Sequence, residues 1–357
     1  MILCEYRQIN QITDLEKIVD LEIAVWGLNP RDAAPSNLMH AMAHTGSLIV
    51  GAYYNEQLIG MALAFPTRKN GDWLLWSHMA AVHPDYQGQG IGFGIKQFQR
   101  TWALENGYRT IAWTFDPLQA GNAKFNLHHL GATSNLYHVN FYGDMTDELN
   151  VGLPSDRLEA HWNLRSHHQP SKKGRVTTEE TPPTLLSSRN DQPILNLPLD
   201  DSQLSYFVEI PRNLAEIRQR DLKLALSWRL ALREALQAAF DKGYQAVDFI
   251  SEGQQCGYIL RAEPWFLYVV ECNDGSLYTG VTPTVAKRIK AHNRGNGAAY
   301  TKTRRPVKLI AVWQYKDRGS AQKAEYSFKH QSRQTKLDYI AKQRPYMDAP
   351  FISLDTE

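Results

Sequence analysis

Residues 72–107, DWLLWSHMAAVHPDYQGQGIGFGIKQFQRTWALENG, decide the reading of the N-terminal half. Apolar alternation up to Val82 predicts a strand, and apolar residues three and four apart after Gly90 predict a helix. Between them lies Gln87-Gly88-Gln89-Gly90-Ile91-Gly92. With no side chains at 88, 90 and 92, several backbone N–H groups can converge on one anion, and the helix start adds the positive end of its dipole. That is a cradle for a pyrophosphate. A dinucleotide-binding loop uses the same physics but opens a parallel βαβ unit, whereas the strands before this turn read as antiparallel.

Working outward, SLIVGAYY (47–54), QLIGMALAF (57–65) and the strand ending at Val82 alternate as a three-stranded meander, with turns at Asn55-Glu56 and Lys69-Asn70-Gly71. Two stretches before it, ITDLEKIVDLEIAVWG and SNLMHAMAHTG, have helical spacing. After the glycine-rich helix come a strand (YRTIAWTF), a helix (AGNAKFNLHHLG) and a strand (ATSNLYHVNFY), so the pattern is α+β. Residues 166–193 are rich in Ser, Thr, Pro and charge and poor in aromatics, which predicts a flexible linker or insertion. Beyond it, LSYFVEI is strand-like and RDLKLALSWRLALREALQAAFDKG is a helix with Leu224, Trp228, Leu232, Ala235 and Ala239 on one stripe. With the strand at 244–250 this segment is too small to bury both faces alone, so it is expected to complete the N-terminal sheet. No internal repeat is evident.

A chain of 357 residues exceeds what one core usually organises. With 43% hydrophobic and 21% charged residues it has a globular composition, and no stretch approaches the roughly 18 apolar residues of a membrane span. The start, MILCEYRQINQITDLEK, has neither the basic-then-apolar order of an export signal nor the acid-poor character of a transit peptide, so a cytoplasmic protein is expected. Three scattered cysteines, Cys4, Cys256 and Cys272, argue against a disulfide framework or a cysteine-based zinc site. The net charge of +2 conceals an asymmetry. Residues 264–345 hold 16 Lys/Arg against 5 Asp/Glu, a balance of +11, while the remainder holds 23 against 32, a balance of −9. A basic region joined to an acidic one points to a polyanionic partner at one end only.

Gln87, Gly90 and Gly92, with Val82-His83-Pro84 before them and Asn122 opening a later helix, resemble the GNAT family of N-acyltransferases over roughly residues 1–160. The resemblance implies a mixed, mainly antiparallel sheet flanked by helices. It also implies acetyl-CoA as cosubstrate, held by Val82, Gln87, Gly88, Gly90, Gly92 and Asn122, and an amine acceptor. His78, four residues before Val82, is the candidate general base, since an imidazole titrating near 6.5 can take the amine's proton. Backbone amides at Ala80 to Val82 would receive the thioester carbonyl on a bulge. The family's helix Tyr, acid for the departing thiol, is missing from FNLHHLG; His128, Tyr137 or Tyr142 are the alternatives. Arg229 and Arg233 share a helix face, which suits either an acidic substrate or ion pairing.

The second deciding stretch is WFLYVVECNDGSLYTGVTPTVAKRIKAHNRGNGAAYTKTRRPVKL, at 265–309. Two strands flank Asn273-Asp274-Gly275, placing Tyr268 and Tyr278 on one hairpin, and a helix follows Pro283. Arg288 on that helix and Glu325 in KAEYSFK complete a set able to surround one phosphate. This set resembles the GIY-YIG nuclease family over residues 264–340, with Leu267-Tyr268-Val269 and Tyr278-Thr279-Gly280 in place of the name motifs. The resemblance implies a small α/β domain in which Glu325 ligates Mg²⁺, Arg288 balances transition-state charge and Tyr278 is the general base. Tyr268 or His292 would then position water. Lys302, Arg304 and Arg305 form a basic loop suited to phosphate contacts, and Tyr300 is suited to stacking on a base.

The expected organisation is a GNAT-like core at 1–165, a linker at 166–193, a strand-helix-strand extension at 194–261 and a GIY-YIG domain at 264–345. The expected function is bifunctional: acetyl-CoA-dependent N-acylation of an amine, and metal-dependent endonuclease action on nucleic acid, DNA foremost, with no membrane partner. The alternative is an acyltransferase or acyl-CoA sensor tethered to nucleic acid by a domain that does not cut.

Overall fold

The computed structural model describes residues 3–27, 29–69, 71–143, 152–165, 182–200, 203–262, 264–315 and 317–342. The chain divides into two compact units, Met1–Leu199 with Tyr206–Leu260, and Asp200–Ser205 with Arg261–Glu357. Most of the expected linker, 166–181, lies outside the described residues, as do Asn70 of the predicted turn and residues 343–357.

The first unit is built on a seven-stranded sheet in the order β1-β2-β3-β4-β5-β7-β6. Its strands are β1 (Glu5–Gln8), β2 (Leu48–Tyr54), β3 (Gln57–Lys69), β4 (Asp72–Val82), β5 (Thr110–Phe115), β6 (Tyr137–His138) and β7 (Arg157–Asn163). The predicted meander is β2-β3-β4, and Asn55 and Glu56 at its first turn both take positive φ. Helices α1 (Ile12–Trp26) and α2 (Ser36–His44) cover one face, where Leu15, Ile18, Leu21 and Met39 pack on Ile49, Met61 and Leu63. Helix α3 (Ile91–Glu105) covers the other, seating Ile91 and Ile95 on Val50, Ile59 and Ala62. Alternation along the strands makes this two-sided burial possible.

Two departures from sequence regularity create the working part of the sheet. Leu63 faces Met79 but Ala64 faces Ser77, so His78 is the extra residue of a bulge in β4. This bulge lies earlier in β4 than the Ala80 to Val82 stretch that the family resemblance implies, because the β3-β4 register is already restored at Met79. In addition, β4 and β5 pair in parallel only at Leu75 with Ile111 and Trp76 with Ala112. Beyond that point the two strands part, and no β4 residue after Trp76 has a register partner on β5.

The helix after β5 begins as α4 (Ala120–Ala123) and continues as a π-helical turn over Lys124–His129. The extension belongs to this same unit but does not complete its sheet. It forms a second, five-stranded sheet in the order β11-β12-β10-β8-β9, from β8 (Thr184–Arg189), β9 (Gln192–Leu195), β10 (Ser205–Glu209), β11 (Tyr244–Glu252) and β12 (Gln255–Ala262). Strand β8 draws the end of the expected linker into a parallel pair with β10, contact that alternation in one short segment does not announce. Helices α5 (Leu214–Arg220) and α6 (Leu222–Asp241) lie between β10 and β11 in sequence, and the predicted stripe of α6 is buried throughout. Asp221 caps α6 by accepting from the Leu224 amide at 3.0 Å.

The second unit carries a three-stranded antiparallel sheet, β14-β13-β15, from β13 (Trp265–Cys272), β14 (Leu277–Thr282) and β15 (Val307–Tyr315). One face buries Val285 and Ile289 of α7 (Val285–Asn293) against Phe266, Val270 and Val312. A short helix, α8 (Ala299–Lys302), follows α7. The opposite face packs Phe328 of α9 (Arg318–Lys329) and Tyr339 of α10 (Arg333–Lys342) on Leu267, Val269 and Trp313. Tyr268 and Tyr278 thus fall on the α7 face.

Candidate functional site

A cavity of about 980 Å³ runs from the glycine loop to the place where β4 and β5 part. Gly88 and Gly90 have φ of 74° and 86°, the left-handed region that glycine enters without cost, whereas Gly92 is ordinary helix. Gln87 donates from Nε2 to the Val82 carbonyl at 3.0 Å, which closes the loop onto the end of β4. Gln87, Gly88, Gly90, Gly92, Val82 and Asn122 all line the cavity, as does His78. The ring of His78 is reached from the open cavity, yet the surrounding walls lower its pKa below the ordinary 6.5 through desolvation. It is therefore neutral near pH 7 and able to accept a proton.

The π-helical turn settles the two histidines differently from an α-helical reading. His129 lines the cavity, and desolvation, with smaller effects from His128 and Lys124, lowers its pKa. His128 instead turns to β11, its Nδ1 2.9 Å from Asp248 Oδ1. Tyr137 is likewise committed elsewhere, donating to Asp156 at 2.7 Å, while the Tyr142 hydroxyl lies 3.3 Å from Thr114, a cavity residue. Arg229 and Arg233 are ion-paired. Arg229 makes a two-pronged bond to Asp116 at 2.7 and 2.8 Å, and Arg233 a similar one to Asp156 at 2.8 and 2.9 Å. Asp116 also caps the Leu118 amide at 2.9 Å, so α6 of the extension pins the segment leading from β5 to Asn122.

In the second unit, Tyr268 and Gly280 are direct cross-strand partners. A Cβ on Gly280 would lie 2.6 Å from the Tyr268 hydroxyl, so glycine is what lets the phenol lie flat across β14. The hydroxyl is held by two groups, Arg288 Nε at 3.1 Å and His292 Nε2 at 2.8 Å. His292 is fully buried, and its Nδ1 lies 2.6 Å from Thr301 Oγ1, whose own hydrogen goes to the Ala298 carbonyl at 3.0 Å. Thr301 must therefore accept from Nδ1–H, which leaves Nε2 as an acceptor for the Tyr268 proton. The chain is directional: Arg288 donates to Tyr268, Tyr268 to His292, and His292 to Thr301. Burial first, and Arg288 second, push the His292 pKa down to about 4, which agrees with the neutral ring. Burial likewise pushes Tyr268 up to about 12 against the opposing bond from Arg288.

Tyr278 remains partly open, its ring 5.3 Å from that of His292 and stacked at 6.0 Å on Tyr300, and the Arg288 guanidinium lies against both phenols. Glu325 on α9 is near enough for its charge to act on Tyr268; its Oε1 accepts from Lys329 at 2.7 Å. Of the basic loop, Lys302 and Arg305 are exposed. Arg304 is occupied, its Nε 2.9 Å from Asp274 and its guanidinium 4.3 Å above the Tyr300 ring.

Residues 15–131 match the acetyltransferase (GNAT) family and residues 264–338 match the GIY-YIG catalytic domain. The chain carries a GNAT acetyltransferase domain and a GIY-YIG domain. Over 77 residues its GIY-YIG domain is 48% identical to a UPF0213 protein of Streptococcus agalactiae, covering 22% of this chain and 88% of that protein. A UPF0213 protein of Staphylococcus aureus N315 is 51% identical over 75 residues, 21% of this chain and 92% of its own length. Among solved structures, a Salmonella typhimurium acetyltransferase with its cofactor acetyl-CoA is 18% identical, covering 48% of this chain and 99% of that one at a TM-score of 0.38. The ribosomal-protein-S18-alanine N-acetyltransferase of Escherichia coli is 15% identical, with coverages of 47% and 97% and a TM-score of 0.37.

Sequence reasoning missed two features of the GNAT domain. One is the Asp116–Arg229 pair, whose members are 113 positions apart. The other is Lys96, whose residue is only 5% exposed and which lines the cavity. A signal for it existed: Gly92, Lys96, Gln99 and Ala103 follow helical spacing on a face that must be inward, and two of the four are polar. In the GIY-YIG domain the missed residue is Thr301, which fixes the tautomer of His292.

Proposed function

We propose that the GNAT domain transfers an acetyl group from acetyl-CoA to an amine and that the GIY-YIG domain hydrolyses phosphodiesters of nucleic acid, DNA foremost, with a divalent cation. The acyltransferase half rests on the cavity that joins the glycine cradle to the free β4 edge. A pyrophosphate at the loop sends the thioester toward the bulge, where β4 residues without a β5 partner can offer amides to its carbonyl oxygen. His78 takes a proton from the acceptor, the amine nitrogen bonds to the carbonyl carbon, and the C–S bond breaks. The departing sulfur leaves as the thiolate, to which the neutral His129 ring in the wall can donate a hydrogen bond, and it takes up the proton released from the amine.

The observation that carries the nuclease half is the directional chain ending on Tyr268. Because the Tyr268 proton is committed to His292, Tyr268 is an orienting group for Arg288, and Tyr278 is left as the phenol available to take a proton from water. His292, being fully buried, acts through Tyr268 and not on water itself. Arg288 then faces the phosphate, where a bidentate cation suits the extra charge of the transition state. The donor set fits a hard cation that keeps most of its waters: Glu325 is a single, partly open carboxylate, and among the described residues no three His, Cys, Asp or Glu side chains gather. Held by Glu325, Mg²⁺ would polarise the phosphate and stabilise the leaving oxygen. Lys302 and Arg305 supply phosphate contacts, and Tyr300 a stacking face.

The test is cleavage of a panel of DNA and RNA substrates by the full chain with Mg²⁺, beside Glu325→Ala and a chelator. Cleavage lost in both controls is the expected result. Salt-sensitive binding by the wild type with no cleavage of any substrate would leave this domain as a tether for the acyltransferase.

A further inference from the structure

The vertex where β4 and β5 separate is marked by Ser77, the first β4 residue past the last parallel pair, and Trp113, the first on β5. The Lys96 amine sits between them. Its Nζ donates to Ser77 Oγ at 2.9 Å and lies 4.1 Å from the centroid of the Trp113 ring, and all three residues line the cavity. Ser77 is held in turn by Gln99 at 3.1 Å. None of these partners carries a negative charge. Among the described residues, the titratable groups that share the cavity wall with Lys96 are His78, Tyr86 and His129, and no Asp or Glu lines it. A buried lysine is ordinarily tolerated in a protein through a carboxylate partner. Here the one charged-type side chain at the floor of the cavity has a hydroxyl and an aromatic face instead.

We propose that Lys96 is an internal acyl acceptor, taking the acetyl group from a thioester bound in this cavity. The inference rests on the reading of the cavity as an acyl-CoA site. The amine nitrogen of Lys96 bonds to the thioester carbonyl carbon and the C–S bond breaks. One N–H proton goes to the departing sulfur, leaving an amide on Lys96 and free coenzyme A thiol. No oxidant, reductant or further reactant is needed.

Two physical conditions favour the step. An amine is a nucleophile only when neutral, and burial lowers the Lys96 pKa from 10.5 to about 7. About half of such amines are neutral at pH 7, against roughly one in a few thousand for an ordinary lysine. Moreover, a thioester laid between the strands meets this amine inside one molecule, where effective concentrations far exceed those of free acceptors. Acetylation would end the ability of Lys96 to take charge and would add an acyl group to the cavity floor. Acceptor turnover would therefore fall as the modified fraction rises.

The full chain is incubated with acetyl-CoA and no amine, and digested peptides are mapped by mass spectrometry. Binding is followed in parallel by the acetyl-CoA-induced shift in melting temperature. Expected is acetylation of Lys96 at least roughly tenfold above any other lysine. Lys96→Arg, with Lys96→Met in reserve should the arginine not fold, should remove that label while retaining the melting shift. A melting shift in the wild type without acetyl-Lys96 overturns the inference and leaves the cavity reading intact. Neither shift nor label overturns the acyl-CoA reading, and the inference with it.

Discussion

His292 makes the stability of the GIY-YIG domain depend on pH in a way that can be worked out from its surroundings. Its folded pKa is about 4, against an ordinary 6.5, because the ring is enclosed and Arg288 is close. The unfolded chain therefore binds more protons than the folded one between those two values, and stability rises with pH across that window. The contribution is complete above about pH 6.5 and is lost as pH falls through about 4. The gap between the two values is worth about 3 kcal/mol, or roughly a few hundredfold in the population of opened molecules. The perturbation is His292→Phe, which keeps a ring in the core but cannot be protonated. At neutral pH it should cost about 1–3 kcal/mol, since the buried Tyr268 hydroxyl loses its acceptor. Between about pH 7 and pH 4 it should then lose about 3 kcal/mol less than the wild type does. Hydrogen exchange followed by mass spectrometry on peptides spanning 265–282 reads this domain separately from the rest of the chain. Parallel pH curves for the two proteins would refute both the neutral tautomer and the directional chain built on it.

Other residues give sharper functional readouts. Gly280→Ala forces a methyl group to within 2.6 Å of the Tyr268 hydroxyl. It should cost about 1–3 kcal/mol in thermal unfolding and about a hundredfold in cleavage, with nucleic-acid binding little changed; full cleavage would remove Tyr268 from the site. Arg229→Met strands the Asp116 carboxylate at the entrance to the α4 segment. A loss of about 3–5 kcal/mol in urea unfolding, together with weaker acetyl-CoA binding, is expected; unchanged binding in a folded variant would mean that α6 does not position the cavity wall. His78→Ala should lower kcat for amine acetylation by about 10²–10⁴ with little change in the KM for acetyl-CoA, followed by coenzyme A release. A kcat within twofold of the wild type would shift the base to another group.

What could be read in advance was local. The meander, the glycine loop and the hairpin carrying Tyr268 and Tyr278 each follow from residues within a few positions of one another, where alternation and turn chemistry act directly. The bulge at His78 depends on the register between β3 and β4, which no single strand declares. His128 and His129 are adjacent in sequence, and only the π-helical turn decides that the second one meets the cavity. The second sheet of the N-terminal unit needs β8 and β10 to pair in parallel across some twenty residues, and its short strands carry too little pattern to reveal their partners.

By itself the sequence determined the strand-turn-helix around the glycine loop, the hairpin of the second unit, the glycine positions suited to a backbone cradle, and the basic character of the C-terminal domain. Those properties reside in single residues and their near neighbours. Tertiary structure alone decided protonation and commitment: that Lys96 lies buried with no counter-ion among the described residues, that Arg229 and Arg304 are held by Asp116 and Asp274, and that His292 is neutral between Tyr268 and Thr301. The charge state of a side chain is set by desolvation and by the groups folded against it, and these are brought together from distant parts of the chain only when it packs.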